Sequence, residues 1–251
     1  SYTEPTRLYA IAKTRGMDFV TITDHNTIAG SLEIAHLDDA FISEEITTYF
    51  PEDRCKLHVL AHSITEAQHD EISRLRENVF ELVPYLKGEG IHHGVAHPLY
   101  SVNDRLTVDH VEEMLLLFNT FELNGSRDIY QNRILREILD HLTEEDLDFL
   151  ADKHGIPPHG RTPWKKRLMA GSDDHSALNI AGSWTEVPEA DTVEAFLEGV
   201  RQGRSSAQGQ DASPKTLAHN IYSIAYQFYR GKFSLDRYVS RELLLRFVDR
   251  A

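Results

Sequence analysis

Short apolar runs rich in β-branched or aromatic residues recur along the chain, each followed by polar residues and then by a stretch with helical periodicity. The runs are Phe19–Thr23, Ala40–Ile42, Leu57–Ala61, Gly94–Ala96, Thr120–Leu123 and Arg167–Ala170, and they read as strands. The intervening stretches carry helix start and stop residues. Pro5 stands at a first helical position and Gly16 closes that helix, expected over Glu4–Arg15. Thr65 and Gln68 form a capping-box pair opening a stretch in which Ile72, Leu75, Val79, Leu82, Val83 and Leu86 share a face, and Gly88 ends it. A third helix is expected from Thr192 through Val193, Phe196, Leu197 and Val200 to Gly203. Strands alternating with helices predict a parallel sheet, because parallel neighbours need a crossover connection. Six or seven such units predict an α/β fold of the TIM-like kind, a closed or nearly closed parallel β/α barrel over residues 1–212. The segment Ile156–Lys166, with three prolines, is expected as a long loop over the barrel mouth. Residues 213–251 hold two aromatic amphipathic segments, around Tyr222, Tyr226, Phe228 and Tyr229 and then Tyr238 and Phe247. They predict a helical appendage or a link to a further domain.

Composition narrows the class. A chain of 251 residues that is 41% hydrophobic can bury one large core, and a β/α barrel commonly has this length as a single domain. No run approaches the roughly 18 apolar residues of a membrane helix, and no signal-peptide pattern opens the chain. The single cysteine, Cys55, excludes an internal disulfide framework and fits a reducing cytoplasm, the expected location. The net charge of −14, from 40 acidic and 26 basic residues, opposes binding of a polyanionic nucleic-acid backbone. The chain starts at Ser1 and ends within an amphipathic run, Leu235, Tyr238, Val239, Leu243, Leu244 and Phe247. The expectation is a domain of a longer polypeptide.

Fourteen histidines are the compositional anomaly, and their placement matters more than their number. The first strand runs into Asp24 and His25, the second into Glu44 and Glu45, the third carries His58 and His62, and the fourth ends at His97. The fifth carries Glu122 and Asn124, and the sixth leads to Asp173, Asp174 and His175. In a parallel barrel the carboxyl ends of the strands converge on one face, where active sites of this architecture sit. Imidazoles and carboxylates mixed there suit divalent transition metals. Singly, each has an ordinary reading: Glu44–Glu45 as a solvated pair, Asp24 as a helix cap, Gly171–Ser172 as a turn. His36, His69, His110, His141, His154 and His219 are read as surface or satisfied buried histidines. The recurrence of one residue class at one structural position favours a site.

The same residues form a series that resembles the PHP (polymerase and histidinol phosphatase) superfamily. Thr23-Asp24-His25-Asn26-Thr27 is similar to its TDH-D/N-T element. Glu45-Ile46-Thr47 is similar to its G-x-E-I-T element, with Ser43 where Gly is usual. Leu57-His58-Val59-Leu60 resembles its strand histidine, Ala96-His97-Pro98 its A-H-P, and Gly171-Ser172-Asp173-Asp174-His175 its G-S-D-x-H. The resemblance spans about residues 1–190 and implies a distorted (β/α)7-like barrel. It implies that Glu45 bridges two metals, that His58 and His97 complete one position, that Asp173 ligates the second, and that His25 and His175 belong to a third. Asp24, Asp173 and His175 are the residues it ties to catalysis. Asp24, Glu122 and Asn124 would orient imidazoles or waters, with His62 and Asp174 the alternatives if the register slips. One element is missing: the family opens with H-x-H-S on its first strand, and no H-x-H precedes Thr23. That strand is expected upstream of Ser1.

The resemblance implies hydrolysis of a small phosphorylated substrate by two or three Mn, Fe or Zn ions and a bridging hydroxide. Arg105, Arg127 and Lys165-Lys166-Arg167 are cations on loops that could meet an anion, with surface solubility the ordinary reading of each. Two other readings remain: a nuclease or proofreading module, against which the acidic balance argues, and a catalytically impaired scaffold domain of a larger protein.

Overall fold

The computed structural model describes residues 3–210 and 213–233. In chain order the elements are α1 (Pro5–Thr14), β1 (Val20–Ile22), α2 (Ala29–Ile34), β2 (Ala40–Tyr49), β3 (Lys56–His62), α3 (Glu66–Leu75), α4 (Val79–Gly88), β4 (His92–Ala96) and α5 (Val108–Leu117). They continue with β5 (Thr120–Asn124), α6 (Ile129–His141), α7 (Glu144–His154), β6 (Arg167–Gly171), β7 (Ser183–Glu186), α8 (Val193–Arg201), β8 (Ser206–Gly209) and α9 (Pro214–Phe233).

Local chemistry sets several of these boundaries. Thr65 Oγ1 accepts from Gln68 N and Gln68 Oε1 accepts from Thr65 N, at 3.2 and 3.0 Å, so the expected capping box opens α3. The stretch expected as one helix up to Gly88 is two, because Asn78 interrupts it. Its side chain accepts from Phe80 N at 3.0 Å and starts α4 afresh.

The six main strands form one curled sheet in the order β1-β2-β3-β4-β5-β6. β1/β2, β4/β5 and β5/β6 pair in parallel, but β3 runs antiparallel to both β2 and β4. This corrects the expectation of a wholly parallel barrel. The physical reason is the connection: six residues, 50–55, separate β2 from β3, enough for a hairpin and too few for a crossover. Among the described residues the sheet is a half-barrel with β1 and β6 at its two edges. The ribbon β7–β8 lies beyond β6, where Thr185 Oγ1 bonds to Ala170 N and O at 2.9 and 3.0 Å.

The main core is between the outer face of the sheet and the helices, with Ile46, Val59, Leu82, Leu86, Val95, Leu116, Phe118, Phe121 and Leu147 all buried. The proline-containing loop 156–166 does not cover the mouth. It leads into the start of β6, where Arg167 pairs with Thr120 and Lys166 Nζ donates to Phe118 O at 2.9 Å, at the foot of the strands. Of the segment 213–251, residues Pro214–Phe233 form α9, while residues 234–251 lie outside the described residues. Among the described residues no helix is long and apolar enough to cross a membrane.

A candidate metal centre at one end of the sheet

Glu45 is the hub. It lies in mid-strand on β2, beyond the last β1 residue, and is only 7% exposed. The end of β1 is laced to it by backbone: Glu45 N donates to Asp24 O at 3.1 Å and Asn26 N donates to Glu45 O at 3.0 Å, a bridge that sets His25 beside Glu45. Asn26, at φ 54°, makes this turn possible and is fixed by its side chain, whose Oδ1 accepts from Thr47 N at 2.8 Å.

His58 reaches Glu45 from the amino end of β3, a consequence of that strand's reversed direction. Its Nδ1 is 2.7 Å from Glu45 Oε1. His97 arrives from the carboxyl end of β4, with Nε2 3.2 Å from the same oxygen. The two imidazole nitrogens are 3.3 Å apart. His25 Nδ1 stands 3.7 Å from Glu45 Oε2. His62, the alternative to His58, is at the opposite end of β3, where its Nδ1 meets Ser43 Oγ at 3.2 Å and its ring stacks near His92. It is not part of the cluster.

The electrostatics fit a cation-binding arrangement. Burial pushes the Glu45 carboxyl up, but hydrogen bonds from His58 and His97 overcome it and hold it well below the ordinary range. Burial pushes His58 down. Burial also acts on His97, yet its contact with Glu45 and the charges of Glu122 and Asp173 leave it raised. The two neighbouring imidazoles are thus pushed in opposite directions, His58 down chiefly by burial and His97 up by its contact with Glu45.

The second group lies on β5 and β6. Asp173 follows β6 at φ 41°, and His97 follows β4 at φ 29°, both in the left-handed region that non-glycine residues seldom occupy. Asn124 Nδ2 donates to Asp173 Oδ2 and to Glu122 Oε2, each at 3.1 Å, and Glu122 Oε2 accepts from His97 N at 3.0 Å. Glu122 is buried, which with the nearby Asp173 and Glu45 charges raises its carboxyl to about 7. Gly171 leaves room for it, because a Cβ there would meet Glu122 Oε1 at 2.9 Å. His175 Nδ1 lies 3.6 Å from Asp173 Oδ1. Asp174, the alternative to Asp173, accepts from Ser176 N at 3.1 Å through Oδ1 and organises the following turn. Asp24 packs against α2, where a Cβ on Gly30 would meet its Oδ2 at 2.6 Å.

A cavity of 690 Å³ joins these groups. Asp24, His25, Glu45, His97, Asp173 and His175 all line it, and it extends between the two edge strands past Val20–Ile22 and Met169–Gly171. Of the loop cations, Arg127 is at the site: its Nε is 3.1 Å from Asp173 Oδ2 and its guanidinium lies 4.5 Å over the Tyr100 ring. Tyr100 also meets the His97 ring edge-on. Arg105 bonds instead to Asp53 O in the β2–β3 turn. Sequence reasoning missed Tyr100, Ser126 and Asn220, none of which belongs to a strand-end motif.

His25, Glu45 and His58 bring their ligand atoms within 4.8 Å of one another, and His97 meets Glu45 Oε1 beside them; a mixed imidazole–carboxylate set of this kind fits a divalent transition metal. Asp109, Glu112 and His154 also cluster, but Lys153 Nζ is 2.7 and 2.6 Å from the two carboxylates and already supplies the cation.

No protein-family model matches the chain, and no curated protein matches it. Solved structures do. PsfC from Pseudomonas syringae PB-5123 is 12% identical with a TM-score of 0.50, the match covering 89% of this chain and 88% of that one. A two-domain protein from Bacteroides vulgatus ATCC 8482, containing a predicted PHP-like metal-dependent phosphoesterase, is also 12% identical, with a TM-score of 0.53. That match covers 88% of this chain and 64% of the Bacteroides protein. At such identity the likeness is one of fold: this chain shares its curled α/β architecture with a PHP-like protein.

Proposed function

We propose that this chain is a metal-dependent phosphoesterase of the PHP type, hydrolysing a small phosphorylated substrate. The observation that carries the reading is the convergence of His58 and His97 on one oxygen of a buried, ionised Glu45, at 2.7 and 3.2 Å. Glu45, His58 and His97 would hold one Mn, Fe or Zn ion, Glu45 and Asp173 a second, and His25 with His175 a third. Such ions supply Lewis acidity at a phosphoryl oxygen and lower the pKa of water. The chain's own residues do the rest. Arg127, held against Asp173 and over the Tyr100 ring, is the cation that would meet a phosphoryl oxygen there. Asn124 and Glu122 fix Asp173 and the His97 backbone.

The position shared by Glu45 and Asp173 has carboxylates and no imidazole, since residues 1–23 contain no histidine. In this reading two further imidazoles, of the kind an H-x-H element supplies, would complete that position. A longer polypeptide carrying them would bind more metal than residues 1–251.

The test is metal content by mass spectrometry together with turnover of small phosphomonoesters and of single-stranded DNA, with manganese, iron and zinc supplied in turn. Bound metal with phosphomonoester turnover supports the proposal, and turnover of DNA alone would move it to the nuclease reading. No metal and no turnover in either length of protein would leave only the scaffold reading.

A further inference from the structure

Helix α9 is built inside out. Its buried face is polar: His219, Asn220 and Ser223 are 3, 5 and 0% exposed. Its apolar residues Leu217, Ile221, Ile224 and Phe228 are 40, 56, 40 and 60% exposed. A surface helix attached by the hydrophobic effect shows the reverse. Buried polar groups are tolerated only where they are hydrogen-bonded, so the partners of that face show what the helix is for.

Those partners are the loop that carries Asp173 and His175. Asn220 Oδ1 accepts from His175 N at 2.8 Å, and Asn220 Nδ2 donates to Ser126 Oγ at 2.7 Å and faces Asp173 O at 3.3 Å. Ser223 Oγ donates to His175 O at 2.6 Å. Ser126 Oγ in turn donates to Ser172 O at 2.6 Å, and Ser126 N donates to Asn124 Oδ1 at 2.9 Å. Asn124 is the residue that holds the Asp173 carboxylate. Asn220 and Ser223 thus hold the two peptide groups that flank the His175 Cα, and Asn220 joins the β6 loop to the β5 loop. The strained φ of Asp173 needs such restraint, because a left-handed non-glycine residue persists only where its surroundings fix it.

We propose that α9 is part of the candidate centre, with Asn220 and Ser223 as positioning residues for Asp173 and His175. This rests on the metal-site reading above. Neither residue touches a ligand side chain; they act through the backbone of the loop. The helix outside the sheet would then set the geometry of one half of the centre, while Glu45 and His58, on the ladder of β2 and β3, do not depend on it.

The experiment is calorimetric titration of the metal-free chain with Zn²⁺, on wild type, Asn220→Ala, Asn220→Asp, Ser223→Ala and His97→Ala, with thermal melts of each without metal. Partners that orient ligands alter affinity by roughly 10–100-fold when removed. Asn220→Ala is expected to weaken only the weaker class of sites by about that factor. Asn220→Asp, which keeps the acceptor for His175 N, recovers part of the loss. His97→Ala loses the tightest site instead. A merely structural role for Asn220 would lower the melt and weaken every site alike, and that result, or binding unchanged from wild type, overturns the proposal. If Asn220→Ala does not fold, Ser223→Ala, which removes a single hydrogen bond, carries the same expectation in smaller measure. If wild type binds no Zn²⁺ and His97→Ala behaves identically, the metal reading fails and the positioning role falls with it.

Discussion

The two halves of the candidate centre are built in different ways. In the Glu45–His58–His97 half the backbone ladder of β2, β3 and β4 fixes where Glu45 and His58 start, and His97 is the residue directly after β4. The Asp173–His175 half hangs on a loop after an edge strand and is held by side chains: Asn124, Ser126, Asn220 and Ser223. A ladder of main-chain bonds survives most single substitutions. A loop tied by four side chains does not, and its geometry can be altered by residues far from it in sequence. The strand half is accordingly expected to persist under mutation, and the loop half to be adjustable.

The sharpest way to break the comparison is to remove what the halves share. Glu45→Gln is expected to abolish metal binding in both and bring turnover to background, because the buried imidazoles lose their ionised partner; isothermal titration with Mn²⁺ checks this. Next come the halves separately. His97→Ala should remove the tightest metal position and most activity while far-UV circular dichroism stays near wild type, since the core lies on the other face of the sheet. Asp173→Ala should spare that position. Asn124→Ala should be milder, reducing metal affinity or turnover by about 10–100-fold through misorientation of Asp173.

The smallest effect is one of pH. Glu122 titrates near 7 in the folded chain, above its ordinary value of 4.5. Between these values the folded state holds more protons than the unfolded one, so stability falls as pH rises through that window. Metal-free wild type should lose on the order of 1–3 kcal/mol from pH 4.5 to 7 relative to Glu122→Gln, measured by urea unfolding. Equal slopes in the two proteins would mean that Glu122 is already ionised.

Much of the strand half could be read in the sequence, because local patterns encode it. The strand runs, the capping box at Thr65 and the polar residues ending each run all depend on neighbours a few positions away. The direction of β3 was not legible: in the apolar pattern the second run ends at Ile42, which leaves residues 43–56 as room for a crossover, and only the structure shows that β2 continues to Tyr49 and leaves a short turn. The error hid itself, because antiparallel pairing brings the amino end of β3, and so His58, to the carboxyl ends of its neighbours. The ribbon β7–β8 escaped because its strands are four residues each and largely exposed, with no apolar alternation. The role of Asn220 was not legible at all. Its helix follows the ordinary apolar spacing, and only three-dimensional packing shows that the polar face is the buried one.

The most direct test of the central claim is metal stoichiometry and phosphomonoester turnover measured on the same sample of wild type and His97→Ala. The account predicts that wild type binds at least one divalent ion per chain and hydrolyses p-nitrophenyl phosphate. It predicts that His97→Ala loses about one ion per chain and nearly all turnover while keeping its circular dichroism spectrum. Undiminished metal and turnover in His97→Ala would contradict it, because a centre in which His97 is a ligand could then not be responsible for the chemistry.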